Sequence, residues 1–231
     1  VTTAVEIRFT ASRSSGEVSA LLDRPEDARA LYLFAHGAGA GMRHSFMESA
    51  VTALGARGIA TLRYQFPYME QRSGRPDPQP ILLSTVRSAV NIAREVAGDL
   101  PLFAGGKSMG GRMTSLAAAD EDLPGVRGLI FFGFPLHPAG RPGVTRAEHL
   151  ARVAAPMLFL QGTRDTLADL DLLRPIVERV GAKATLHVVE GADHSFAVLK
   201  RSGRTAADVL DELADTVAKW IEPVLADRRN A

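Results

Sequence analysis

The stretch Leu100–Ala119, LPLFAGGKSMGGRMTSLAAA, admits few folds. An apolar run, a turn crowded with glycine and a run of helix formers follow one another without a break. That order reads as buried strand, tight turn and helix. Gly106-Lys107-Ser108-Met109-Gly110 fits G-x-S-x-G, in which a serine sits at the apex of a sharp strand-to-helix turn. Side chains on the two flanking glycines would collide with strand and helix, and the serine itself is held in a strained backbone conformation. Its hydroxyl then points into a cleft, at the start of a helix whose N–H groups can face an anion. Gly106-Lys107-Ser108 is also the tail of the phosphate-binding loop G-x-x-x-x-G-K-[ST], but that loop needs glycine where Pro101 stands. The pentapeptide alone does not separate a nucleophile turn from a glycine-rich bend. The rest of the chain has to supply the partners.

The flanking chain repeats the alternation of strand and helix. Ala30–Ala35 (ALYLFA), Ile59–Arg63 (IATLR), Val126–Phe134 (VRGLIFFGF) and Pro156–Gln161 (PMLFLQ) are mainly apolar, as expected of strands covered on both faces. Ala184–Val189 is a further strand. Between them, Phe46, Met47, Ala50, Val51 and Leu54 recur at helical spacing, as do Leu82, Leu83, Val86, Val90 and Ala93. Helices are also expected near Leu167–Val180 and Thr205–Ile221, with Tyr64–Pro80 a loop rich in proline and charge. Val5–Phe9 and Val18–Leu22 alternate around Ser14-Ser15-Gly16, which predicts an antiparallel pair at a sheet edge. The expectation is one α/β domain over residues 1–231, a mostly parallel twisted sheet with helices on both faces.

Composition removes several function classes. A net charge of +1 supplies no field to gather nucleic acid or a membrane surface. With no cysteine there is no disulfide, zinc ribbon or thiol nucleophile. The six histidines show no metal-ligand spacing, so neither a metal nor another cofactor is expected. The opening VTTAVEIRFT lacks a signal-peptide layout, and no apolar run approaches the roughly 20 residues of a membrane span. The expectation is a cytoplasmic protein acting on a small molecule.

In an open parallel sheet, ligands bind at the carboxyl ends of the strands. The polar residues expected there are His36, Arg63, Ser108, His137, Asp165 and His194. His194, in Gly191-Ala192-Asp193-His194-Ser195-Phe196, follows the last strand and is placed to take a proton from Ser108. Asp165 would hold the imidazole in its useful tautomer; its bland alternative is a helix N-cap near Leu167. Asp193 is a rival, although neighbours on a short loop rarely face each other's rings. His36-Gly37-Ala38-Gly39 follows the first buried strand, so the backbone N–H of Ala38 would pair with that of Met109 as an oxyanion hole. His36 is expected to brace this loop. Gly39, Arg63 and His137 are candidate pocket residues, while Arg43, Arg112 and Arg141 read as structural or solvated.

The chain resembles the α/β-hydrolase superfamily, and within it the small dienelactone-hydrolase-like proteins. More narrowly, it looks like the group holding the testis-expressed hydrolase-like protein and the regulatory subunit of the non-specific-lethal acetyltransferase complex. The matching pieces are His36–Gly39, Leu62–Glu70, Gly105–Arg112, Gly133–Pro138, Leu160–Asp165 and Asp193–Phe196. The resemblance implies Ser108 as nucleophile, His194 as base and Asp165 as its orienter. It implies a serine hydrolase of carboxylic esters or thioesters. It departs from dienelactone hydrolase proper, whose nucleophile is cysteine, and from dehalogenases, which carry aspartate at the elbow. Only a short segment separates Pro135 from Pro156, so no large cap domain is expected. The rival from another class is a non-catalytic binding or scaffold protein on the same fold.

Overall fold

The computed structural model describes residues 4–226. Its plan follows from strand β3 (Ala30–Ala35), all six of whose residues are buried. Leu31, Leu33 and Ala35 enter one hydrophobic core, whereas Ala30, Tyr32 and Phe34 enter another. A strand apolar on both faces has to be covered on both faces. Helices α1 (Ser45–Gly55) and α6 (Ala206–Ala226) cover one side, contributing Met47, Leu54, Val209 and Val217. On the other lie α3 (Gln79–Ala97), α4 (Met109–Asp120) and α5 (Leu170–Val180), contributing Val86, Met113 and Leu173.

The remaining strands are β1 (Val5–Ser12), β2 (Gly16–Asp23), β4 (Ile59–Tyr64), β5 (Leu102–Lys107), β6 (Val126–Phe132), β7 (Met157–Gly162) and β8 (Ala184–Val189). The eight form one sheet in the order β1-β2-β4-β3-β5-β6-β7-β8. β1 and β2 make the antiparallel edge expected from their alternation, and β3 to β8 run parallel. From β3 the chain moves outward to β4, then returns past β3 to β5 and continues to the far edge. The winding therefore reverses between β3 and β5. That reversal opens a crevice at their carboxyl ends.

Some boundaries differ from the sequence expectation, each for a local reason. β6 stops at Phe132 because Gly133 turns the backbone to φ +68°, and the N–H of Phe134 goes to the Gln161 side chain instead of a ladder. α5 starts at Leu170, where Asp169 accepts a hydrogen bond from the N–H of Asp171 and caps the helix. The expected loop Tyr64–Pro80 contains a short helix, α2 (Pro67–Glu70), with proline in its first turn. Thr205 and Asp208 cap α6 reciprocally through each other's backbone N–H groups. Between β6 and β7 there is only a 3₁₀ segment, Thr145–Arg152, and no large cap. Among the described residues, no helix is long and apolar enough to cross a membrane.

Candidate active site

The serine turn nests against the end of β3. Ser108 adopts φ 50°, ψ −116°, a region L-residues avoid, between the last residue of β5 and the first of α4. Its N–H donates to the Phe132 carbonyl at 3.1 Å, and its own carbonyl accepts from the Arg112 N–H at 3.1 Å. A Cβ added at Gly106 would lie 2.4 Å from the Ala35 carbonyl oxygen, and one at Gly110 would lie 2.5 Å from the same atom. Both flanking glycines are therefore required for the approach of β5 and α4 to β3.

Two further strand ends bring side chains to Ser108. His194, beyond β8, places Nε2 2.8 Å from Ser108 Oγ and Nδ1 2.7 Å from Asp165 Oδ2. Asp165, beyond β7, has a fully buried side chain. Its Oδ2 also accepts from the Gln161 amide, and its Oδ1 accepts from the Leu167 N–H at 2.8 Å. A carboxylate supplied only with donors leaves His194 Nδ1 to carry the proton, so Nε2 presents a lone pair to Ser108. Asp165 does not cap α5, because Asp169 does so. Asp193 is turned elsewhere: its Oδ1 accepts from the N–H groups of Ser195 and Ala197 at 2.8 and 3.0 Å and shapes the histidine loop.

The loop after β3 faces this relay. Among the described residues the Ala38 N–H meets no protein acceptor, and the Met109 N–H opens the first turn of α4, where no intrahelical acceptor exists. His36 is buried beneath the loop. Its Nδ1 donates to the Gly37 carbonyl at 2.7 Å and its Nε2 accepts from the Phe66 N–H at 3.1 Å, the expected brace. Burial pulls this imidazole down to about 4, against the Gly37 hydrogen bond, so it stays neutral.

A cavity of about 310 Å³ lies over Ser108, walled by Gly37, Ala38, Phe46, Met47, Lys107, Leu167 and His194 among others. The three candidate pocket residues are placed outside that wall. Gly39 stands between the wall residues Ala38 and Ala40 without lining the cavity and donates its N–H to the Tyr68 hydroxyl at 3.0 Å. Arg63 is buried and spent on structure, bonding Asp23 at 3.0 Å and the Met42 carbonyl at 3.2 Å. His137 is buried with Nδ1 2.9 Å from the Pro138 carbonyl. The wall residues that sequence reasoning passed over are Phe46, Met47, Leu167 and, above all, Lys107. Lys107 stands at a variable position of the G-x-S-x-G pattern, so the motif itself assigns it no role.

Two other features imitate a site. A cavity of about 440 Å³ lies at the opposite ends of β6 and β7, walled by Leu123, Val126 and Pro156, with no nucleophile. Ser115 Oγ lies 2.7 Å from His149 Nε2, but the hydroxyl donates to the Arg112 carbonyl at 2.9 Å. The histidine must then be the donor, and this pair is a buried structural contact.

The comparisons with known proteins agree with this architecture. Residues 28–222 match the family described as the alpha/beta hydrolase domain. The chain belongs to that family. Among solved structures, dienelactone hydrolase from Anabaena variabilis superposes with a TM-score of 0.71 at 21% identity, over 95% of this chain and 98% of that one. An α/β serine hydrolase without a lid from Xanthomonas campestris gives a TM-score of 0.72 at 22% identity, over 95% and 96%. A Mycobacterium tuberculosis protein named "putative phosphoribosyl transferase" is 31% identical over 185 residues, which is 78% of this chain. The match spans only 39% of that protein's length.

Proposed function

We propose that this protein is a serine hydrolase of small carboxylic esters or thioesters. Ser108 is the nucleophile, His194 the general base and acid, and Asp165 the group that orients and steadies the imidazole. The observation that carries the reading is the continuous relay Asp165–His194–Ser108, with contacts of 2.7 and 2.8 Å, at the wall of a cavity. Ser108 Oγ attacks the carbonyl carbon while its proton passes to His194 Nε2. The oxyanion is received by the N–H groups of Ala38 and Met109, each worth about 3–4 kcal/mol by analogy with measured oxyanion donors. Collapse expels the alcohol or thiol, which takes the proton from His194 and leaves an acyl-serine. Water then gives a proton to the same nitrogen and attacks the acyl carbon; the bond from that carbon to Ser108 Oγ breaks, Oγ takes the proton back from His194, and the acid leaves.

Every step uses groups of this chain, and the reading calls for no metal or cofactor. Residues 1–231 act in this reading as one hydrolase domain. The cavity of about 310 Å³ and the short 3₁₀ segment in place of a cap favour small acyl groups reached from an open cleft. The motifs His36–Gly39, Leu62–Glu70 and Gly133–Pro138 support a likeness to the testis-expressed hydrolase-like group, and the reading assigns the protein to the cytoplasm. Phosphoribosyl transfer, in the name of the mycobacterial relative, draws no support from the Ser108 site. The test is turnover of a panel of short-chain esters and thioesters by wild type and Ser108→Ala. The reading expects hydrolysis by wild type and a loss of at least about 10³-fold in the variant. Equal rates for the two proteins would refute it.

A further inference from the structure

Lys107 adjoins the nucleophile, yet the reaction above gives it no task. It is the last residue of β5 and 9% exposed. Its ammonium donates to the main-chain carbonyl of His194 at 2.5 Å. The same ammonium lies 5.3 Å from the ring centroid of Phe196 and 5.7 Å from that of Phe46, rings that stack on one another. Phe196 reaches this position through a positive φ of 63°, so the loop after His194 is bent to bring its ring there. Gly133 keeps the space open. A Cβ there would sit 3.0 Å from Lys107 Nζ and 3.5 Å from both Asp165 Oδ2 and His194 Cε1. The cation and the relay thus converge on one point.

Resting on the Ser108 reading, we infer that Lys107 is a positioning residue for His194: its charged ammonium fastens the histidine loop to the strand that carries the nucleophile. Lys107 and Ser108 are consecutive on a rigid strand end, so a bond from Lys107 to the His194 backbone fixes the distance between base and nucleophile. The charged groups facing Lys107 are Asp165 after β7 and Asp193 in the histidine loop, and the titratable group it adjoins is the His194 imidazole; α1 presents the Phe46 ring, and the residue after β6 is Gly133. Burial pulls the ammonium down to about 8, while Asp165 and Asp193 oppose the shift. The clamp is therefore charged at neutral pH and loses its charge-assisted bond as pH rises through about 8.

The rate of fluorophosphonate labelling against pH tests this without knowledge of the natural ester. Wild type should label fastest near neutrality and slow about tenfold as Lys107 deprotonates. Lys107→Met should label about tenfold more slowly at pH 7 and lose the fall across pH 8. Lys107→Arg keeps the charge and should label within about threefold of wild type at pH 7, also without that fall. A wild-type rate that stays level above pH 8, or a Lys107→Met curve that keeps the wild-type fall, overturns the inference. The wild-type curve decides even where a variant does not fold. No Ser108-dependent labelling at any pH removes the Ser108 reading and this inference together. Labelling that is level above pH 8 removes only the inference.

Discussion

Ser108 is held with its φ in the positive range and its hydroxyl 2.8 Å from His194 Nε2, so local strain and the proposed function meet in one residue. The carboxylates near His194 make the sharpest residue-scale prediction. Asp165 touches the imidazole, whereas Asp193 touches only backbone N–H groups of the loop. Asp165→Asn should therefore lower kcat by about 10³–10⁴-fold by favouring the wrong tautomer. Asp193→Ala should cost about tenfold or less, by loosening the loop. Steady-state kinetics on one ester ranks them, and the opposite order would make Asp193 the orienter. The meeting of Ser108, Asp165 and His194 was legible because each follows a segment patterned as a strand of one parallel sheet. The same rule picks out Arg63, inside β4, and His137, in the loop after β6, yet Arg63 turns to Asp23 and His137 to the Pro138 carbonyl. A strand-end rule gives the neighbourhood of a side chain, not the direction in which it points.

At the scale of elements, the crossing of β3, β5 and α4 is set by absent side chains. Gly106→Ala would press a Cβ to 2.4 Å from the Ala35 carbonyl and 2.8 Å from the Gly110 backbone, neither of which can rotate away. It should cost about 3 kcal/mol or more and disturb the serine turn. Gly39→Ala meets nothing within 4 Å but keeps a positive φ of 71°, so it should cost only about 1–2 kcal/mol. Urea denaturation of the two variants measures the contrast, and equal losses would contradict it. β3 was legible to the residue as a continuous apolar run, and β8 as an alternation of Ala184, Leu186 and Val188 with Thr185 and His187, closed by the turn at Gly191. The helix α2 was not, since four residues show no period and its one proline, Pro67, resembles those of the loop around it. The end of β6 was hidden for a different reason: Phe134 is as apolar as Phe132, and only the backbone turn at Gly133 separates them.

For the whole molecule, two buried imidazoles set the response of stability to acid. Burial pulls His36 to about 4, and burial followed by Arg112 and Arg152 does the same to His149. An unfolded histidine titrates near 6.5. As pH falls below that value the unfolded chain takes protons the folded chain refuses, so stability drops between about 6.5 and 4 and then levels. His36 alone accounts for up to about 3 kcal/mol of that loss. Urea midpoints at pH 7 and 4.5 should separate clearly in wild type and less in His36→Gln, whereas equal separation would contradict this source of acid sensitivity. The winding reversal between β3 and β5 gathers these parts, placing the Ala38 loop, Ser108, Asp165 and His194 at one end of the sheet. The central claim, that Ser108 is the nucleophile, is tested most directly by mapping a fluorophosphonate adduct. Trypsin cuts after Lys107 and Arg112, so Ser108 and Ser115 fall in different peptides, Ser108–Arg112 and Met113–Arg127. The account predicts one adduct on Ser108–Arg112, lost in Ser108→Ala, with Met113–Arg127 unmodified. An unlabelled protein, or an adduct on Met113–Arg127, would contradict it.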